Sequence, residues 1–203
     1  PLTPVGDDDD DTTKTDAGPD ASSGGMPECN GKVDCERLVF VTRESFTGKL
    51  GGLAGADQKC FEAAKKIPTH AGRAFRAWLS DDTTNANARL PKGTKFYKRT
   101  DDSVVATSWT DLTDGSLNLP PALDEEGKAL GGSITDHDVW TGSDNTGKFS
   151  DDACSNWNND TNSFFGVYGD STATNADWSS IVDEGIPAIF SCNVKHHLYC
   201  IEY

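Results

Sequence analysis

The sequence predicts an α+β domain with one main helix, several short strands and long ordered loops. Three observations indicate this fold class. One stretch, residues 55–67, has the spacing of an amphipathic helix. The other apolar runs are short and rich in β-branched or aromatic residues. Between them lie loops of Gly, Asn, Asp, Ser and Thr that contain Trp residues at intervals, which indicates loops fixed to a core.

Residues 1–28 are predicted to form an acidic flexible linker or tail, and residues 29–203 the folded domain. The tail contains the run Asp7–Asp11, followed by Thr, Ser, Gly and Pro with little apolar surface to bury. Segments of this kind commonly tether a surface domain to a lipid anchor, here expected upstream of Pro1, or to another module. An alternative is self-assembly, in which the tail contacts a neighbouring subunit.

The first predicted strand is Arg37–Thr42, and the main helix is predicted over Gly55–Ile67. Cys60 and Ala63 lie on the apolar face of that helix, and Pro68 ends it. Five further short strands are predicted at Ala74–Leu79, Val104–Trp109, Val139–Thr141, Ala188–Cys192 and His197–Glu202.

The six cysteines predict three structural disulfides and an oxidising compartment. They are Cys29, Cys35, Cys60, Cys154, Cys192 and Cys200, with no C-x-x-C pair of the kind common in zinc sites. A local bridge between Cys29 and Cys35 fits the short turn-like stretch between them. Six cysteines allow many pairings, so the connectivity stays open at this point.

The charge of the chain excludes nucleic acid as a partner. The net charge is -15, with 33 acidic against 18 basic residues, and such a surface repels a phosphate backbone. There is also no apolar run long enough to predict a transmembrane segment.

Four blocks of sequence resemble one known family. They are LVFVTRESFTGKLGGLAGADQKCFEAA with AFRAWLS (residues 38–80), WTDLTDG (109–115), VWTGSDNTGKFSDDACSNW (139–157) and CNVKHHLYCIE (192–202). In this order they resemble endostatin and, more closely, the bacterial endostatin-like surface lipoproteins of the leptospiral type. The resemblance covers the whole globular part of the chain.

The resemblance implies a C-type-lectin-like, endostatin-like fold with nested disulfides. The implied pairs are Cys60 with Cys200 and Cys154 with Cys192, which leaves Cys29 with Cys35. It also implies a secreted or cell-surface binding module, adhesin-like and not an enzyme, that recognises a glycan or a surface or matrix protein. Two endostatin properties do not transfer: residues 1–28 contain no histidine for zinc, and the acidic chain lacks an arginine-rich heparin face.

Calcium is the candidate cofactor, because acidic loop residues hold calcium in many C-type lectins. Asp144, Asp151 and Asp152 are the candidate ligands among the oxygen-bearing side chains of the 136–160 region. No known calcium-loop or sugar-binding tripeptide motif is present, and a solvated polar loop is the competing interpretation.

The loop region between about Thr110 and Asp183 is the predicted ligand-binding surface. Its candidate ligand contacts are Trp157, Asn158, Asp160 and Trp178, because Trp rings among Asn and Asp can stack on sugar rings. Burial of both Trp rings is the competing interpretation, and the sequence favours it.

The sequence contains no arrangement typical of a catalytic site. The adjacent His196 and His197 point to opposite faces of a strand, and Asp124–Glu126 is typical of a solvated charged loop. The leading hypothesis is therefore a binding module with no required cofactor. The alternative is a structural subunit of a surface assembly or filament.

Overall fold

The computed structural model describes residues 29–132 and 134–203, so the predicted acidic tail lies outside the described residues. The fold is mixed α/β, rich in sheet and poor in helix, with three disulfides. The strands are β1 (Arg37–Val41), β2 (Phe75–Ala77), β3 (Tyr97–Lys98), β4 (Val104–Ala106), β5 (Asp138–Trp140), β6 (Phe165–Asp170), β7 (Val182–Asp183), β8 (Ile186–Pro187), β9 (Ile189–Ser191) and β10 (His197–Glu202). The helices are α1 (Gly52–Lys65) and three single turns, α2 (Ala86–Arg89), α3 (Trp109–Leu112) and α4 (Cys154–Trp157).

One main sheet has the strand order β4-β3-β1-β10-β5-β6-β9, and β2 pairs with β10 beside β5. The last strand is therefore central: β10 pairs antiparallel with β1 and β2, and parallel with β5. β7 and β8 form a separate two-stranded ribbon. Every residue of β1 and β10 is buried, because the sheet is covered on both faces.

Two apolar clusters lie on the two faces of the sheet. The first contains Phe40, Trp140 and Leu198 and packs against α1. The second contains Val39, Val139 and Tyr199 and packs against the long loops. These residues alternate along β1, β5 and β10, as expected when successive side chains point to opposite faces. The loops are thus part of the core, as the regularly placed Trp residues predict.

Helix α1 begins three residues before the predicted start and ends before Pro68. Its N-cap residue Gly51 (φ 88°) and its first residue Gly52 (φ 72°) have a left-handed backbone, which explains the glycine pair. Its buried face consists of Ala56, Cys60, Ala63 and Ala64. The side chains of this face are small, so the helix lies close to the sheet.

Each predicted strand overlaps an observed strand, but the Val139–Thr141 prediction is shifted by one residue from β5 and the Val104–Trp109 prediction is too long. β4 ends at Ala106, and Trp109 begins α3, where Ser108 Oγ accepts a hydrogen bond from Asp111 N. The prediction also missed β6, which lies between β5 and β9. The glycines of β6 resemble a loop in sequence, yet a Cβ at Gly169 would lie 2.2 Å from the Trp178 carbonyl oxygen. These glycines permit close packing.

The three disulfides have the connectivity that the resemblance implies: Cys29–Cys35, Cys60–Cys200 and Cys154–Cys192. Cys60–Cys200 joins α1 to β10, and Cys154–Cys192 joins α4 to the segment after β9. An oxidising compartment follows from three formed bridges and no free cysteine among the described residues.

A buried ion pair fixes the start of the domain to its last strand. Glu202 Oε1 accepts hydrogen bonds from Arg73 Nε (2.8 Å) and Cys29 N (3.2 Å), and Oε2 accepts one from Leu38 N (3.1 Å). Arg73 and Glu202 are both buried. Because both side chains are shielded from water, removing either one would leave the other as a buried charge without a partner.

Candidate functional site

The two Trp residues named as candidate ligand contacts are buried in the core, which agrees with the burial that the sequence favours and leaves neither ring free to stack on a ligand. Trp157 is completely buried, and its Nε1 donates to the Ser80 carbonyl oxygen (2.7 Å). Trp178 is 1% exposed and packs between Trp78 and Tyr199, with ring centroids 4.9 and 5.4 Å away. Indole rings bury a large apolar area, and here that area stabilises the loops rather than a ligand.

The other two predicted ligand contacts are at the surface. Asn158 is exposed and donates from Nδ2 to the Asn156 carbonyl oxygen (2.8 Å), and Asp160 is exposed nearby in the chain. Without the Trp157 and Trp178 rings beside them, these side chains do not form a stacking platform for a sugar ring.

The three candidate calcium ligands do not form a common site. Asp144 Oδ1 closes its own turn by accepting from Thr146 N (2.9 Å) and Lys148 N (3.0 Å). Burial, together with the charge of Asp151, raises the pKa of Asp152. Within residues 29–132 and 134–203, no group of three or more His, Cys, Asp and Glu side chains is arranged to hold a metal ion.

A polar depression of about 380 Å³ is lined by Arg43, Asp124 and His197 among others. These three side chains already have partners: Arg43 Nε lies 2.9 Å from Asp124 Oδ2, and His197 Nδ1 lies 2.6 Å from the backbone carbonyl oxygen of Thr42. Burial lowers the pKa of His197. These groups fix the loop after β1 to the segment around Asp124, which is a structural role.

The exposed apolar side chains of the domain concentrate in one part of the chain. Of the nine large apolar residues that are exposed in the described part of the chain, five lie between residues 164 and 189. They are Phe164 (42% exposed), Phe165 (40%), Val182 (49%), Ile186 (68%) and Ile189 (42%). We call Phe165, Ile186 and Ile189 the hairpin surface; Phe164 borders it, and Val182 points to the opposite face of the ribbon from Ile186.

Strand pairing brings these residues together at one edge of the main sheet. β9 is the last strand of the sheet order and pairs antiparallel with β6, with Val167 opposite Ile189 and Phe165 opposite Ser191. Phe165 and Ile189 are therefore diagonal neighbours on the same face. Val167 on that face is fully buried, so the exposed surface begins where the core ends.

The β7–β8 ribbon extends this surface beyond the sheet. Val182 pairs with Pro187, and Asp183 pairs with Ile186. The two turn residues, Glu184 (φ 49°) and Gly185 (φ 83°), both have positive φ, as in a type I′ hairpin turn. This turn matches the twist of the strands and produces a tight ribbon.

The ribbon is fixed at its base to the core. Before it come the buried residues Trp178, Ser179 and Ser180. Ile181 N donates to the Tyr168 carbonyl oxygen (3.2 Å), and Ala188 N donates to the Ile181 carbonyl oxygen (2.7 Å). The apolar side chains are thus presented from a base that the core holds in place.

An open depression of about 410 Å³ lies along the ribbon, lined by Asp183, Glu184, Ile186, Pro187, Ala188 and Ile189. The hairpin surface therefore combines protruding apolar side chains, a shallow apolar depression and two carboxylates at its tip. Such an arrangement suits contact with another macromolecule better than enclosure of a small molecule.

Sequence reasoning included Val182 in the predicted loop region but did not predict the hairpin. The available signal was VDEGIP (residues 182–187), in which two acidic residues and a glycine separate two β-branched residues. Strands of two residues are too short for a periodicity to be visible, and the surrounding polar residues hide them.

Residues 43–174 match a family model described as "Protein of unknown function (DUF1554)". The match covers more than half of the chain, and the protein therefore belongs to this family. It includes β6 but ends before the β7–β8 ribbon. A search of curated proteins found no match. No helix among the described residues has both the length and the apolar character needed to cross a bilayer.

Proposed function

We propose that this member of the DUF1554 family is a non-enzymatic, adhesin-like binding module that recognises a protein partner through the hairpin surface. We further propose a C-type-lectin-like, endostatin-like fold. In support, α1 packs on one face of the sheet, Cys60–Cys200 joins it to the last strand, and Cys154–Cys192 lies within that bridge in sequence.

The exposed apolar cluster is the observation that carries this function. Three apolar side chains, each at least 40% exposed, lie on one sheet edge and its adjoining ribbon, and two of them, Ile186 and Ile189, line the same depression. Isolated exposed apolar residues are common, whereas a contiguous group of them favours a contact surface. The chain is otherwise polar and strongly acidic, which makes this group stand out.

A protein partner fits the surface better than a glycan. Sugar recognition commonly uses an exposed aromatic face beside polar groups, and the Trp rings nearest to Asn158 and Asp160 are buried. The hairpin surface instead offers aliphatic side chains and Phe165, the residue types found in the centre of protein interfaces.

We also propose that the protein is secreted or displayed at a cell surface. The three disulfides support an extracytoplasmic compartment. The proposed tether, residues 1–28, lies outside the described residues, and its acidic sequence is the basis for that part of the proposal.

The test is binding of the purified, oxidised protein to immobilised extracellular matrix proteins and to a glycan array, with and without a calcium chelator. We expect saturable binding to one or more matrix proteins that persists in chelator. Binding only to glycans, or binding abolished by chelator, would contradict the proposal.

A pair of variants locates the binding surface. The double variant Ile186→Ser/Ile189→Ser should lower the affinity at least about tenfold, because both side chains line the same depression and buried apolar anchors dominate interface energetics. The matched control is Phe96→Ser/Leu119→Ser, since these side chains are 39% and 37% exposed but lie elsewhere in the chain. An equal loss in both double variants would place the binding site outside the hairpin surface.

A further inference from the structure

The tip of the β7–β8 ribbon has two carboxylates beside its most exposed apolar residue. Asp183 lies directly opposite Ile186 in the register, so both side chains point to the same face of the ribbon. Glu184 follows in the turn and is exposed. Neither Asp183 nor Glu184 forms an ion pair with any residue in the described part of the chain.

We propose that the partner of the hairpin surface presents apolar side chains flanked by Lys or Arg, and that Ile186 inserts among those apolar side chains. This inference rests on the proposed function and specifies the chemistry of its ligand. Ile186 would supply the buried apolar contact, and Asp183 and Glu184 would pair with the flanking basic side chains. The 68% exposure of Ile186 leaves most of its side chain available for burial.

The same charges disfavour a second copy of this chain as the occupant. A two-fold dimer through the hairpin surface would use the same patch on both copies, so the carboxylates of each ribbon would face those of the other. Each chain also has a net charge of -15, which adds a general repulsion. A partner with basic side chains removes both costs.

The geometry of the ribbon favours insertion. Its turn is a tight two-residue turn, and its base follows directly on the buried residues Trp178–Ser180. An apolar side chain held on a fixed support loses little conformational entropy when it binds. Ile186 has few rotamers of its own, because it is branched at Cβ.

The experiment uses the full oxidised chain to select peptides from a random library displayed on phage. We expect the enriched peptides to combine apolar residues with Lys or Arg. Their affinity should fall at least about tenfold for Ile186→Ser. It should fall about threefold or more for Asp183→Asn/Glu184→Gln, mainly at low ionic strength, since exposed charges chiefly accelerate association and are screened by salt.

Two controls match these changes. Leu119→Ser removes a comparably placed exposed apolar residue, and Asp102→Asn/Asp114→Asn removes two exposed carboxylates away from the ribbon. Both should leave peptide affinity within about twofold of the parent chain, because surface charges and side chains distant from a contact have little effect on it.

The outcomes separate this inference from the proposed function. Peptides that need Ile186 but carry no basic residues, or that bind Asp183→Asn/Glu184→Gln unchanged, would overturn the proposed pairing of Asp183 and Glu184 with basic side chains. They would leave the hairpin surface as the binding surface. The absence of enriched peptides, or enriched peptides insensitive to Ile186→Ser, would overturn both. A dimer in sedimentation that Ile186→Ser dissociates would show that the occupant is a second copy.

Discussion

The imidazole of His196 is enclosed by the aromatic rings of Trp140, Tyr168 and Phe190, at centroid distances of 4.3, 5.5 and 5.0 Å. The residue is completely buried, and neither ring nitrogen has a hydrogen-bond partner. Burial, with a smaller effect of His197, lowers the pKa of His196 to about 3. His196 is therefore neutral at physiological pH and acts as a packing residue.

Asp138 lies beside this ring, with its Oδ2 3.7 Å from His196 Nδ1. It also lies opposite Asp170 in the register of β5 and β6. Burial, together with the charge of Asp170, raises the pKa of Asp138 to about 6. The ionised form of Asp138 is thus unfavourable in the folded protein, and His196 is too weakly basic to compensate for it.

Asp138→Asn should stabilise the protein at neutral pH. The pKa of Asp138 is about 6 in the folded protein and 3.8 in the unfolded chain. The contribution of this carboxyl group to stability is therefore fully present below pH 3.8, and it is lost as the pH rises to about 6. The neutral variant should be more stable by about 1–2 kcal/mol at pH 7.5, after allowance for solvent screening. Urea unfolding at pH 7.5 and pH 3.5 measures the difference.

The gain from Asp138→Asn should fall to a few tenths of a kcal/mol at pH 3.5, where the carboxyl is protonated in the folded state and mostly protonated in the unfolded state. Protonation of His196 destabilises the fold as the pH falls from 6.5 towards 3, but it affects both proteins and leaves their difference unchanged. An equal gain at both pH values would show that packing, rather than charge, causes the effect.

At the scale of elements, α4 has an unusual backbone. Cys154, Ser155, Asn156 and Trp157 have φ values of 48°, 54°, 56° and 62°, although none of them is glycine. Each residue in this conformation costs about 1–2 kcal/mol. The turn is held by the Cys154–Cys192 disulfide and by the Trp157 carbonyl oxygen, which accepts hydrogen bonds from Leu50 N (2.9 Å) and Gly51 N (3.1 Å).

Ser155→Gly should raise the stability of the protein by about 0.5–1 kcal/mol, which is the relief of left-handed strain less the greater freedom of glycine in the unfolded chain. Ser155 is exposed, so the substitution removes no packing. The midpoint of thermal unfolding provides the measurement.

Ser163→Gly is the matched control, because Ser163 is exposed and has no positive φ. It should lower stability slightly, since glycine there gains only unfolded-state freedom. If both variants shifted the midpoint in the same direction, the left-handed backbone of α4 would not be the source of the effect.

At the scale of the whole molecule, the disulfides close loops of different lengths. Cys29–Cys35 spans 6 residues, Cys154–Cys192 spans 38 and Cys60–Cys200 spans 140. The chain-entropy model relates stabilisation to the length of the closed loop, so the longest bridge constrains the unfolded chain most. The polar, loop-rich domain depends on these bridges more than a domain with a large apolar core would.

Cys60→Ser/Cys200→Ser should lower the free energy of unfolding by about 5 kcal/mol, against about 2 kcal/mol for Cys29→Ser/Cys35→Ser. Urea unfolding of the two double variants and the parent chain measures both changes. The denaturant dependence should also increase more for the first variant, since its unfolded chain is less compact. Equal losses would mean that local packing around the bridges outweighs the loop length.

The sequence by itself determined the strands with continuous apolar runs, the main helix and the oxidising compartment. These features have local causes: apolar periodicity places α1, Pro68 follows its end, and six cysteines without a C-x-x-C pair indicate disulfides. The connectivity of the bridges came from the resemblance, and the structure has the same pairs.

Only the tertiary structure decided which loop residues are available to a partner. Trp157 and Trp178 stand among polar neighbours in the sequence, yet their rings complete the core because distant strands leave space for them. Phe165, Ile186 and Ile189 are apolar in the sequence, yet they lie in the last two strands of the sheet and in the adjoining ribbon, where no other element of the described residues covers them. Exposure depends on contacts between residues far apart in the chain, and local sequence does not specify those contacts.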